Sequence, residues 1–167
     1  MDASLITPFV TSIQNVFSTM LQLPVTVNTP KVKSNPEPSH DVSGIIGMSG
    51  DVTGSVVLSF PLETAQRVVA LFCGEQMDPR SADFSDAIGE LVNMVSGGAK
   101  AQFPDNKKVS ISCPSVVLGE NHVVATQTDT PCVLIPCTTD CGDLTIEIAI
   151  REREVAGNAT NSQQATA

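Results

Sequence analysis

A chain of 167 residues with 41% hydrophobic content can bury a core and is too apolar to stay disordered. A formal net charge of −9, with no Trp or Tyr for stacking, weighs against nucleic acid or an anionic membrane as partner. The opening MDASLITPFV lacks a basic region and a long apolar run, no stretch approaches the roughly eighteen apolar residues of a span, and five cysteines without a secretion signal fit free thiols in a reducing cytoplasm.

Residues 7–23 place Phe9, Ile13, Val16, Phe17 and Met20 at helical spacing, with Pro8 in the first turn and Pro24 as the stop. Residues 25–32 alternate as a strand, and SNPEPSH at 34–40 is a loop. Strands at 41–48 and 54–60 meet through Ser49, Gly50 and Asp51 as a hairpin. Pro61 opens a second helix whose buried side is Leu62, Ala65, Val68, Val69 and Phe72, and Gly74 stops it. After a loop at 77–82, residues 83–100 form the central helix, with Ser81 or Asp83 as N-cap.

Four strand candidates follow: 109–118 (interrupted at Pro114), 122–130, 132–137 and 144–150. The last, LTIEIAI, alternates as a strand with one wet face. Residues 153–167 have no apolar period and read as a disordered tail after a domain spanning 1–152. Ser12-Ile-Gln-Asn15-Val-Phe echoes Glu90-Leu-Val-Asn93-Met-Val, which suggests two pseudo-symmetric halves. The elements make an α/β (α+β) domain with a twisted, mostly antiparallel sheet and long helices packed on it.

The central helix, DFSDAIGELVNMVSGGAK, carries the chemistry. Phe84, Ile88, Leu91 and Val95 stack on one side, and Asp86, Glu90, Asn93, Gly97 and Lys100 fall on the other. Gly89, Gly97 and Gly98 each cost a helix about 1 kcal/mol against Ala, and a bare outer face makes sense where another surface must come close. Asn93 is a poor helix former, and Asp86 adds acid one turn before Glu90, which suits a basic partner better than it suits stability.

Other motifs fail. GxxxxGK[ST] and GxGxxG are absent; Gly47-Met-Ser49-Gly-Asp51 lacks the last glycine of a nucleophile elbow; Cys73 and Arg80 are one residue too far apart for a cysteine-phosphatase loop. Cys132, Cys137 and Cys141 lack the close pair of a zinc knuckle, although His122 upstream keeps a metal or redox domain open as an alternative. His40 and His122 read as surface residues.

DAIGELVNMVSGGAK resembles the active-site helix of the CheC/CheX/FliY class of chemotaxis phosphatases, most closely its CheX members. The class pattern is an acid or Ser, then Glu-x-x-Asn, then a downstream Pro. Asp86, Glu90, Asn93 and Pro114 fill it here, with a spacer to Pro114 slightly shorter than the pattern. GDVTGSVVLSFPLETAQRVV and TPFVTSIQNVFSTML are similar to the family's strand–helix segment and first helix. The resemblance implies a CheC-like fold, a cytoplasmic homodimer, and a phosphorylated CheY-like response regulator as substrate. It implies Asn93 orienting the attacking water and Glu90 pairing with the receiver's lysine, with no cofactor of its own and Mg2+ in the receiver. Ser12, where Glu90 has its acid, makes the first helix silent. Asp86 either sets the field at the helix start or meets the partner, and Lys100 is either solvated or a contact. A non-catalytic module of the same fold, docking a receiver or flagellar switch component, is the second reading.

Overall fold

The computed structural model describes residues 1–34, 37–127 and 129–154; most of the expected tail, 155–167, lies outside them. The elements are α1 (Ala3–Leu21), β1 (Thr26–Val27), β2 (Lys31–Val32), β3 (Val42–Gly50), β4 (Val52–Phe60), α2 (Leu62–Cys73), α3 (Ala82–Lys100), β5 (Val109–Ile111), β6 (Ser115–Leu118), β7 (Val133–Thr139) and β8 (Gly142–Glu152). Every strand pair is antiparallel, and the order is β1-β7-β8-β4-β3-β5, with β2 also on β7 and β6 also on β3.

That order has internal symmetry. The hairpins β3–β4 and β7–β8 lie side by side through β4 and β8, and each half's short leading strands pair with the other half's hairpin: β1 and β2 on β7, β5 and β6 on β3. The sequence echo maps onto this exchange, since α1 leads the first half and α3 the second.

Alternation along the strands sends Val56, Leu58 and Phe60 of β4 and Ile146, Ile148 and Ile150 of β8 to the same side, where they join Phe9, Ile13 and Phe17 of α1 and Phe84, Ile88 and Leu91 of α3 in one core. Each such buried side chain contributes about 1.5–3 kcal/mol relative to exposure. The hairpin needs glycine at Gly50, whose φ of 104° is open to few other residues and whose missing side chain leaves room for the Lys108 carbonyl.

Several expectations change. Helix α1 starts earlier, because Asp2 caps it by accepting the Ser4 amide at 3.0 Å. Pro8 therefore sits inside the helix; the Thr7 hydroxyl donates to the Ala3 carbonyl, and Gln102 Nε2 donates to the Pro8 carbonyl at 3.2 Å. The strand at 25–32 is split in two around Asn28–Pro30. Pro61 is the N-cap of α2, and Asp41 Oδ2 accepts the Leu62 amide in its place, while Leu62 itself is exposed.

Residues 122–127 form no strand, because the outer side of β3 is taken by β5 and β6 and that of β7 by β1 and β2. Their segment instead helps to cover the sheet face opposite the helices, so the middle of β8 is not wet there: Glu147 and Ala149 are buried, while Asp143 and Arg151 at its ends are exposed. Lys33 Nζ meets Glu147 Oε2 at 2.7 Å with side-chain exposures of 2% and 3%, and the Ser39 hydroxyl donates to Glu147 Oε1 at 2.6 Å. The Val124 carbonyl accepts from Lys33, and the His122 carbonyl from the Ser39 amide. Both histidines are anchored rather than free: His122 by Ser43 and the Gly119 carbonyl, His40 by Ser59 and Thr145.

Candidate functional site

Ser81 caps α3 by accepting the Phe84 amide at 3.2 Å, and the helix then runs unbroken to Lys100. With Phe84, Ile88, Leu91 and Val95 committed to the core, helical geometry turns the opposite strip outward. Asp86, Glu90 and Lys100 are exposed, and Asn93 and Gly97 are half-buried. Among the described residues, the long-range side-chain bond to this helix is that of the Ser12 hydroxyl to the Val95 carbonyl, which leaves Glu90 and Asn93 free to meet something else. Asp83 puts negative charge in the first turn of α3, where the helix dipole favours it, and Lys100 closes the last turn with the complementary sign.

The three glycines, expected together as a bare docking face, separate into three cases. A Cβ on Gly98 would run into Ser12, whose hydroxyl is bonded at 2.6 Å to the Val95 carbonyl; this glycine lets α1 and α3 cross. Ser12 is thereby buried between helices and cannot act on a partner. A Cβ on Gly89 would stand 3.2 Å from Pro114 Cγ and 3.7 Å from Val116 Cγ2, so this glycine admits the β5–β6 connection. Only Gly97 has nothing within 4 Å of the added carbon. Pro114 itself is exposed. The fold thus gathers Asp86, Glu90, Asn93, Gly97 and Lys100 on one strip and lays Pro114 along its flank. The Gly89–Pro114 contact escaped the sequence reading, since the two are neighbours only through the pairing of β6 with β3.

This surface is convex. The hollows of about 520 Å3 beside α2 and about 560 Å3 near Leu118 include neither Glu90 nor Asn93 among their walls. A small substrate could not be enclosed on such a strip, and an amide has no useful pKa for acid–base work. The side chains can instead complete a pocket that another protein brings.

The cysteines do not form a competing centre. Cys132 packs with Leu134 and Ala149 on the outer sheet face, whereas Cys137 belongs to the helix-side core. Burial pushes the Cys137 thiol up to about 12; burial, then the Glu147 charge, pushes that of Cys132 to about 11. Among the described residues no three His, Cys, Asp or Glu side chains could together hold a metal ion.

The sequence pattern of the family described as chemotaxis phosphatase CheX matches residues 42–138. The relative named CheY-P phosphatase CheX, from Thermotoga maritima, is 31% identical over 126 residues, covering 72% of this chain and 79% of its own. A CheC-like superfamily protein from Shewanella sp. PV-4 superposes with a TM-score of 0.82 at 32% identity, covering 90% of this chain and 99% of that one. Chemotaxis protein CheX from Desulfovibrio desulfuricans gives 0.80 at 33% identity, with 89% and 99% covered. The family match runs through β3, β4 and α3 and includes the Glu90–Asn93 strip, and the chain belongs to the CheX family of chemotaxis phosphatases.

Proposed function

We propose that this chain hydrolyses the aspartyl phosphate of a CheY-like response regulator, with α3 as the docking helix. The observation that carries this is the placement of Glu90 and Asn93 on one outward strip of α3, uncommitted among the described residues. Support comes from the relative whose name gives phosphorylated CheY as its substrate.

Asn93 holds a water in line with phosphorus, its carboxamide accepting from the water while the NH2 group donates to a phosphoryl oxygen. The water oxygen bonds to phosphorus as the phosphorus–oxygen bond to the aspartyl carboxylate breaks. The receiver's aspartyl carboxylate is restored in place, and inorganic phosphate leaves with the water's oxygen and protons. A loose transition state makes such positioning worth more than base strength. Glu90 pairs with the receiver's lysine and fixes the register. Mg2+ belongs to the receiver, and no cofactor is assigned to this chain. Asp86, Gly97, Lys100 and Pro114 line the contact. In the same proposal the protein is a cytoplasmic homodimer, its domain spanning 1–152; Val117 and Leu118 on the outermost strand β6 offer an exposed edge for association.

The test is decay of a phosphorylated receiver in the presence of the parent, Asn93→Ala and Glu90→Ala proteins. Asn93→Ala lowers the accelerated rate by on the order of 100-fold while binding persists, and Glu90→Ala chiefly raises KM. Binding without acceleration by the parent would make this a docking module, and equal rates for Asn93→Ala and parent would remove Asn93 from the mechanism.

A further inference from the structure

We propose that Gly89 is a positioning residue that acts through Pro114, an inference that rests on the phosphatase reading above. At 100° per residue the direction of Gly89 lies about 40° around the helix from that of Asn93 and about 60° from that of Asp86. Whatever covers Gly89 therefore stands beside the strip, nearer to the water-orienting amide than to Glu90. What covers it is the Pro114 ring, 3.2 Å and 3.5 Å (Cγ and Cβ) from the carbon that a side chain would add.

Pro114 is exposed on its other side, at the end of the connection between β5 and β6. A partner descending on Asn93 must meet this rigid ring as a side wall. The height of the wall is set by the absence of a side chain at position 89. A methyl group added here would stand 3.2 Å from the ring, closer than ordinary packing, and either the ring or the helix gives way by a few tenths of an ångström. Chemistry that depends on where a water sits is sensitive to shifts of that size.

Helix formation alone gives the opposite expectation, because Ala is the better helix former and should be tolerated. The experiment is a double-mutant cycle of Gly89→Ala and Pro114→Ala, read as kcat and KM for receiver dephosphorylation alongside thermal midpoints. Gly89→Ala lowers kcat/KM roughly tenfold in the parent and by less than about threefold in the Pro114→Ala background, where the ring is gone. The loss exceeds any change in the folded fraction at the assay temperature. An unchanged Gly89→Ala enzyme, or a loss of the same size in both backgrounds, overturns the assignment while leaving the phosphatase reading intact. A parent that accelerates nothing overturns both.

Discussion

Replacing Gly97 by Ala separates folding from docking in a single substitution. Nothing lies within 4 Å of the carbon that would be added, and the residue is in the last full turn of α3 with ordinary helical backbone. No intramolecular contact is therefore strained. The gain in helix propensity is up to about 1 kcal/mol, which in a chain of this length raises the thermal midpoint by about 2–4 °C. In the proposed complex the same methyl group meets the receiver surface that closes over Asn93, one turn away. Overpacking of such a contact costs about 1–3 kcal/mol, or roughly 5- to 150-fold in KM. Thermal unfolding and phosphate release over a range of receiver concentrations read the two quantities separately. A protein that is more stable with KM unchanged would show that the strip closes over Glu90 and Asn93 without reaching Gly97. One that is less stable would refute the open-space reasoning itself.

Three further predictions concern the rest of the molecule. Lys33→Met takes away the cation that meets Glu147 on the buried sheet face, which costs about 3–5 kcal/mol; the thermal midpoint falls by more than about 6 °C, and a smaller fall means that water reaches the pair. Ser96→Ala removes a buried hydroxyl with no partner among the described residues, so stability holds or rises by about 1 kcal/mol in denaturant titration, whereas a drop reveals a hidden acceptor. Alkylation of the native protein labels exposed Cys113 and spares Cys132 and Cys137, whose burial disfavours the reactive thiolate; a bulky adduct at Cys113, next to Pro114, also weakens receiver docking, as binding measurements before and after labelling would show.

The candidate strip was legible because everything that defines it is local. A periodic apolar stripe in residues 84–95 fixes which side of α3 is hidden, and Glu90 and Asn93 follow from that choice alone. The break at Pro114 and the stop at Gly74 were equally local, since each rests on one residue's backbone preference. The second sheet face was not legible. Glu147 in LTIEIAI has the look of a solvent-facing residue, and its cover is irregular chain around Ser39 and Val124 with no period to betray it. Nothing local to Lys33 points to Glu147, the acid far along the chain that the fold brings to it. The glycines show the same limit: sequence marked all three as costly to the helix, but which of them faces Ser12, Pro114 or open space depends on crossings that only the assembled sheet determines.

The swapped placement of the short strands binds the two halves more tightly than their length suggests. Because β1 and β2 complete the hairpin of the second half, and β5 and β6 that of the first, neither half has a finished sheet until the other is present. A nascent first half leaving the ribosome holds hairpin β3–β4 with a bare flank, and ordering must wait for the last strands to be made. Contacts between residues distant along the chain accordingly dominate the fold, a topology that slows folding because chain entropy is lost before those contacts form.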